Sequence, residues 1–270
     1  EATAYGAWLD QAQKSQNPLH VIYINTSLQV KAKSHVKVPT ITCTSSNVVQ
    51  TLLQAAAQIP DLSLWYGPDT YMGQNLERLF LNLLEGSDEQ IAALHPSHSR
   101  ATVLKMLDRF SYFKQGNCVV HHMFGADVVK QVLRDHAEAY FTAHLEVPGE
   151  MFVLASEAQQ KGKGVVGSTS NILHFILDMI DVHELQSGAQ TISFVLGTEA
   201  GMVTSIVRKV QNKLRGLSRK DIAVEIVFPV ASEAVAQDDG FGIVPGVSGG
   251  EGCSIAGGCA SCPYMKMNSL

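Results

Sequence analysis

A histidine and a glutamate two positions apart form the pair in this sequence best suited to moving protons. His144 and Glu146 stand at the end of a strand-like stretch that begins near residue 139. Side chains alternate between the two faces of an extended chain, so residues two apart share a face. An imidazole beside a carboxylate can shuttle protons. We therefore interpret this segment, with Leu145 between the pair, as a candidate catalytic site.

Polar side chains stand in similar places elsewhere in the chain. Tyr23 and Asn25, separated by Ile24, end another strand-like stretch, and Ser45 and Thr169 each precede an amphipathic, helix-like stretch. In a parallel α/β sheet, ligands bind beyond the carboxyl ends of the strands. Free amides at a helix N-terminus favour a carboxylate or a phosphate there. These residues are candidates for binding an anionic substrate, although each alone is more often a helix cap or a surface group.

Five cysteines, an odd number, argue against a secreted disulfide framework. They are Cys43, Cys118, Cys253, Cys259 and Cys262. An iron–sulfur cluster could use Cys118 and a tail cysteine, because Cys-Pro recurs at the last ligand of such motifs. A zinc site could combine Cys118, His121, Cys259 and Cys262, and Cys259 with Cys262 could form a redox disulfide. Spacing alone does not separate these three chemistries.

The elements that must position these residues alternate between strands and helices. Apolar residues recur at helical spacing over 48–56 and 202–214. Strand-like stretches lie at 21–25, 40–44, 62–66, 139–144, 164–167, 191–196 and 223–228. This alternation predicts βαβ units with parallel sheets covered by helices, which is an α/β fold.

An internal repeat runs through the sequence. Residues 43–53 read CTSSNVVQTLL and residues 167–177 read GSTSNILHFIL. Each copy is followed by a strand that ends in a glycine with an acid two positions later, Gly67 with Asp69 and Gly197 with Glu199. Helix caps alone would not reproduce these features in the same order. We predict two α/β domains, 19–135 and 136–270, with 1–18 ahead of them, a helical surface insertion at 86–114 and a Gly/Cys-rich tail.

Composition limits the classes of partner. The 270 residues are 46% hydrophobic and 17% charged, which is a globular profile. The net charge is −5, and there is no basic run that would indicate nucleic acid or an anionic membrane as a partner. No apolar stretch approaches the roughly 20 residues that a membrane helix needs. We expect neither nucleic acid nor a membrane as a partner, and the sequence is compatible with a homodimer.

Six blocks of the sequence together resemble the quinolinate synthase family, in the order in which that family has them. The segments 23–50, 143–151 and 249–270 are most similar to its plant-type members. The blocks are Tyr23-Ile24-Asn25-Thr26-Ser27, Cys43-Thr44-Ser45-Ser46-Asn47, Gly116-Asn117-Cys118-Val119-Val120-His121, Gly167-Ser168-Thr169-Ser170, Gly197-Thr198-Glu199 and Cys262-Pro263-Tyr264-Met265-Lys266-Met267-Asn268.

The resemblance implies three homologous three-layer α/β/α units around a pseudo-threefold axis, of which this chain would hold the second and third, with 1–18 as a remnant of the end of the first. It implies a [4Fe–4S] cluster with one cysteine from each unit, here Cys118 and Cys262, and an open iron that acts as a Lewis acid. The implied activity is that of a transferase of NAD biosynthesis, which condenses iminoaspartate with dihydroxyacetone phosphate to give quinolinate. The plant-type likeness implies the chloroplast.

The resemblance also assigns roles to the candidate residues. Substrate binding falls to Tyr23, Ile24, Asn25, Ser45, His144, Leu145, Glu146 and Thr169, and proton transfer to Glu146 with His144 and Tyr23. The family's first block is absent, so we expect this chain alone to be inactive. Two alternatives are a zinc-stabilised module that binds carboxylates or phosphates, and an inactive truncated product.

Overall fold

The computed structural model describes residues 3–116, 126–198 and 200–229. Within these ranges the chain divides into two compact units, one that ends at residue 116 and one that runs from 126 to 229. The predicted domain limits at 19–135 and 136–270 stay a prediction. None of the described helices is both long and apolar enough to cross a bilayer.

The first unit contains a four-stranded sheet in which every pairing is parallel, with strand order β2-β1-β3-β4. Its elements are α1 (Ala4–Ala12), β1 (Pro18–Tyr23), α2 (Leu28–Lys37), β2 (Thr40–Cys43), α3 (Val48–Gln58), β3 (Ser63–Gly67), α4 (Thr70–Leu84), α5 (Asp88–Leu94), α6 (Arg100–Leu107) and β4 (Phe110–Tyr112).

The second unit repeats this plan without the two short helices. Its parallel sheet has the order β6-β5-β7-β8, which is the same order shifted by four strands. Its elements are α7 (Ala126–Asp135), β5 (Tyr140–His144), α8 (Gly149–Gln160), β6 (Gly164–Gly167), α9 (Thr169–Glu184), β7 (Gln190–Gly197), α10 (Ala200–Gly216) and β8 (Ile222–Val227). The predicted α/β class is confirmed, and so are all seven predicted strands.

Helices cover both faces of the second sheet. The chain moves from β5 outward to β6 and then back across β5 to β7. Because crossovers between parallel strands are right-handed, this reversal places α8 and α9 on opposite faces. The contacts agree, since α7 packs on α8 and α10 packs on α9. The result is the three-layer α/β/α arrangement.

The core of the second unit follows from helical spacing. Ile172, Ile176 and Ile180 lie four residues apart on α9 and are fully buried. They pack against Phe194 of β7 and Ile206 of α10. Each such side chain stabilises the fold by about 1.5–3 kcal/mol relative to an exposed position. This packing fixes the head of α9 against the carboxyl end of the sheet.

The segment 86–114 begins as two helices. Ser87 and Gln90 form a capping box at the head of α5. The loop before α6 is joined to α3 by His98, whose Nε2 donates to the Leu53 carbonyl at 2.7 Å. The last part of the segment is a strand and not a helix, because Phe110–Tyr112 pairs in parallel with β3 and completes the first sheet. This strand is the counterpart of β8.

Candidate active site

The carboxyl end of β1 closes in a tight turn that presents Tyr23 and Asn25. Tyr23 pairs with Cys43 of β2 in the sheet register. The Ile24 amide then donates to the Cys43 carbonyl at 2.8 Å, and the Thr26 amide donates to the Tyr23 carbonyl at 3.1 Å. Tyr23 is buried and Asn25 is half-buried, whereas Ile24 is exposed.

The carboxyl end of β5 makes the same turn. His144 pairs with Gly167 of β6. The Leu145 amide donates to the Gly167 carbonyl at 3.1 Å, and the Val147 amide donates to the His144 carbonyl at 3.1 Å. His144 and Glu146 therefore occupy the places of Tyr23 and Asn25, and both are buried at 7% exposure.

The second strand of each unit also ends in a shared structure. In the first unit, the Asn47 side-chain oxygen accepts from the Thr44 amide at 2.8 Å and from the Thr44 hydroxyl at 3.2 Å. In the second unit, the Asn171 oxygen accepts from the Ser168 amide at 2.9 Å and from the Ser168 hydroxyl at 2.6 Å.

These two asparagine turns place the predicted hydroxyl residues at equivalent positions. Ser45 directly follows Thr44, and Thr169 directly follows Ser168, the two residues whose amides donate to the asparagines. Both Ser45 and Thr169 are half-buried. The carboxyl ends of β1 and β2 are neighbours in one sheet, as are those of β5 and β6. Each unit thus gathers its four predicted substrate residues, three of them polar, at one sheet edge, while their roles in binding and proton transfer stay predictions.

Burial sets the charge of His144. Removal from water lowers the pKa of its imidazole to about 4, so the ring is neutral near pH 7. Its Nδ1 accepts a hydrogen bond from the Glu146 amide at 3.4 Å. A neutral imidazole with Nδ1 as acceptor carries its proton on Nε2. His144 therefore has its donor on Nε2 and its acceptor on Nδ1.

The turn after β1 contains polar atoms that a ligand could satisfy. Asn25 Oδ1 and Thr26 Oγ1 are buried and have no hydrogen-bond partner within the described residues. A buried polar atom without a partner costs about 1–3 kcal/mol. A bound ligand or an ordered water would remove that cost. The turn therefore has two buried oxygens that a polar ligand or a water could reach with a hydrogen bond.

Lys31 is a residue at this edge that the sequence prediction did not include among the site residues. Its Nζ donates to the Ile24 carbonyl at 2.7 Å, which places an ammonium group beside the Tyr23–Asn25 turn. Partial burial lowers its pKa, against an opposing effect of Cys43 nearby. Its position one helical turn after the Ser27 cap was the available signal.

The described residues provide one thiol at this edge. Cys43 is buried at 1% exposure inside β2. Within ranges 3–116, 126–198 and 200–229, no group of three or more histidine, cysteine, aspartate or glutamate side chains could hold a metal ion. The predicted ligands Cys118 and Cys262 lie outside the described residues, as do Cys259, His121 and Glu199.

The sequence matches that of a known family over most of its length. The family described as "Quinolinate synthetase A protein" matches residues 5–227. The chain belongs to this family. The match covers every element of both units except the extreme head of α1, and it includes both strand-end turns.

Plant members of the family are similar to the whole chain. The chain is 51% identical to "Quinolinate synthase, chloroplastic" of Arabidopsis thaliana over 100% of its own length and 39% of that relative. It is 52% identical to the Nicotiana tabacum protein of the same name, over 99% of this chain and 38% of that one. The corresponding protein of Oryza sativa subsp. japonica is 51% identical, over 100% of this chain and 41% of that one. The chain thus spans about two-fifths of the length of these relatives.

Proposed function

We propose that this chain is the part of a plastid quinolinate synthase that contains its second and third α/β units. The intact enzyme would condense iminoaspartate with dihydroxyacetone phosphate and release phosphate and water. The names of the plant relatives support both the activity and the plastid. The observation that carries the proposal is the repeated strand-end turn, which presents Tyr23 and Asn25 in one unit and His144 and Glu146 in the other.

The residues of the first unit would bind the dicarboxylate substrate. The Tyr23 hydroxyl and the Ser45 hydroxyl can donate to carboxylate oxygens. Asn25 Oδ1, which is buried without a partner among the described residues, can accept from an N–H or O–H group of a ligand. The Lys31 ammonium adds positive charge beside this turn. A dianionic substrate is the ligand that this set favours.

The residues of the second unit would bind and move protons. Neutral His144 donates from Nε2 and can stabilise a developing negative charge on a substrate oxygen. Glu146, on the same strand-end turn, is the proposed general base. Thr169 supplies a hydroxyl at the head of α9, where the helix dipole favours an anion. Tyr23 is the proposed third member of the proton-transfer group.

A [4Fe–4S] cluster is the proposed cofactor, with Cys118 and Cys262 as its ligands in this chain. Thiolates are the ligands that iron–sulfur clusters use, so the chemistry of these donors fits the group. When bound, the cluster would supply a Lewis acid toward substrate oxygens. Each unit would contribute its own hydrogen-bond donors to substrate binding, the hydroxyls of Tyr23 and Ser45 in the first and His144 Nε2–H with the Thr169 hydroxyl in the second.

Replacing Glu146 by glutamine tests the proposed base. The complete gene product would be purified without oxygen, and quinolinate formation would be measured from iminoaspartate and dihydroxyacetone phosphate. We expect E146Q to lower kcat by about 10²–10⁴-fold, because glutamine cannot accept the proton. Iron and acid-labile sulfide per chain should stay at the wild-type level. The matched control is E157Q, which alters an exposed glutamate of α8.

The outcomes separate the alternatives. An E146Q enzyme that keeps its wild-type kcat would remove Glu146 from the mechanism. A colourless wild-type protein that contains one zinc and no sulfide would favour the zinc-stabilised binding module. A protein with a cluster but no quinolinate formation would contradict the proposed reaction.

A further inference from the structure

We propose that Thr70 is a positioning residue that holds the segment leading into Cys118 and so supports cluster binding. This inference rests on the proposed function, because it takes Cys118 to be a cluster ligand. Thr70 is the first residue of α4, in the loop that follows β3. It lies 48 positions before the cysteine in sequence. The support is a pair of hydrogen bonds between Thr70, at the head of α4, and the backbone of Gly116.

Thr70 and Gly116 are joined by two reciprocal hydrogen bonds. The Thr70 amide donates to the Gly116 carbonyl at 3.0 Å. The Gly116 amide donates to the Thr70 hydroxyl oxygen at 2.8 Å. The same hydroxyl donates to the Phe113 carbonyl at 3.0 Å. One hydroxyl therefore fixes both ends of the stretch 113–116, which leads out of β4.

The contact requires a glycine at position 116. A Cβ there would overlap the carbonyl oxygen of Pro68 and press on the Phe113 ring. The absence of a side chain lets the backbone of 116 approach the β3–α4 loop closely enough for both hydrogen bonds. The glycine of the Gly116-Asn117-Cys118 block thus has a structural reason that the sequence alone did not show.

The head of α4 is a rigid support for this contact. The Asp69 carboxylate caps the helix by accepting from the Met72 amide at 2.6 Å, and Asp69 is buried at 1% exposure. Gly73, one turn further on, packs directly against the ring of Tyr112 in β4. Position and orientation at Gly116 are therefore set by packed elements. In the sequence, the proposed ligand Cys118 follows two residues after Gly116.

The repeat provides an internal comparison. Gly67 pairs with Ile22 and Gly197 pairs with Ala143 in the two sheets, so these glycines are equivalent. Three residues after each stand Thr70 and Ala200. The second copy therefore has no hydroxyl at this place. Of the two equivalent places, only that in the first unit, whose proposed ligand is Cys118, has a hydroxyl.

The test compares Thr70→Val, which keeps the side-chain shape but removes the hydroxyl, with Thr70→Ser, which keeps the hydroxyl. The complete gene product of each variant would be purified without oxygen. Iron, acid-labile sulfide and the electron paramagnetic resonance spectrum of the reduced cluster would be recorded before and after exposure to a chelator. Thr204→Val, at an exposed position of α10, is the matched control.

We expect T70V to lose its cluster to the chelator about 10-fold faster than wild type, since it removes the hydroxyl hydrogen bonds to Phe113 and Gly116, and a tenfold change is about the net effect of one hydrogen bond. T70S should retain wild-type behaviour, as should T204V. If T70V does not fold, Thr70→Ala replaces it, because alanine also lacks the hydroxyl and suits a helix N-terminus.

Equal cluster loss and an identical spectrum in wild type, T70V and T70S would overturn the inference and leave the proposed function intact. A wild-type gene product without iron and sulfide would overturn the proposed function and this inference together. Loss in T70V with full rescue in T70S supports the inference.

Discussion

Two buried histidines stay neutral in the folded protein, and each has a different role. His20, in β1, lies between the Tyr5 hydroxyl at 2.8 Å and the Thr40 hydroxyl at 3.2 Å. Burial lowers its pKa to about 3. It is a core residue below the candidate site. His144 stands at a strand end, and burial lowers its pKa to about 4.

The lowered pKa of His144 makes the stability of the protein depend on pH. The unfolded chain takes up a proton near pH 6.5 and the folded chain only near pH 4, so stability falls as the pH drops through this range. His144→Gln removes this titration. We expect wild type to lose about 2 kcal/mol more than H144Q between pH 7 and pH 5, measured by urea unfolding. His174→Gln, at an exposed position of α9, is the control. Equal losses in wild type and H144Q would contradict the prediction.

The positions of the polar site residues could be predicted from the sequence, but their contacts could not. Tyr23, Asn25, His144 and Glu146 follow from the two-residue period of a strand and from the rule that ligands lie at carboxyl ends. The contacts of Lys31 and Thr70 join residues by hydrogen bonds to backbone carbonyls and amides. Such contacts depend on how loops close, so the sequence could at most place Lys31 in the first turns of its helix and could not give the partner of either side chain.

At the scale of elements, the repeat is visible in hydrogen bonds as well as in sequence. The asparagine turns at the heads of α3 and α9 are built alike, but they differ in strength. The Asn47 bonds are exposed, whereas the Asn171 bonds are half-buried. The Ser168 hydroxyl also accepts from the Asn171 amide at 3.4 Å and so completes a capping box in α9.

This difference predicts unequal effects of removing the asparagines. We expect N171A to lower the free energy of unfolding by about 1–2 kcal/mol and N47A by about 0.5–1 kcal/mol, because exposed donors regain water. Urea unfolding of each variant gives these values. Ser170→Ala and Ser46→Ala remove exposed hydroxyls from the same two turns and are the controls. The prediction is wrong if N171A is no more destabilised than S170A.

The length of each strand explains whether it could be predicted from the sequence. The seven predicted strands each span four residues or more, so burial gives them a detectable apolar pattern. Strand β4 has three residues between a helix and a loop, which is too short for such a pattern. It forms because Leu64, Trp65 and Tyr66 of β3 provide a ladder for it. Tertiary pairing, and not local propensity, makes this strand.

At the scale of the whole molecule, the central fact is the share of the relatives that the chain covers. The chain is similar over its full length to plant proteins of which it spans 38–41%. The described residues gather six polar candidate substrate residues at two sheet edges, three in each unit. A three-unit enzyme would need a third such edge and a third cysteine ligand.

We therefore predict that the isolated 270-residue chain forms no measurable quinolinate after anaerobic cluster reconstitution, because it lacks one wall of the proposed site and one of the proposed ligands. A fusion that adds the part of the Arabidopsis thaliana relative that this chain does not span should restore activity. The same fusion with Cys118→Ser is the control for dependence on the cluster. Quinolinate would be measured from iminoaspartate and dihydroxyacetone phosphate. Turnover by the isolated chain would show that the two units suffice, and the three-unit proposal would then have to be abandoned.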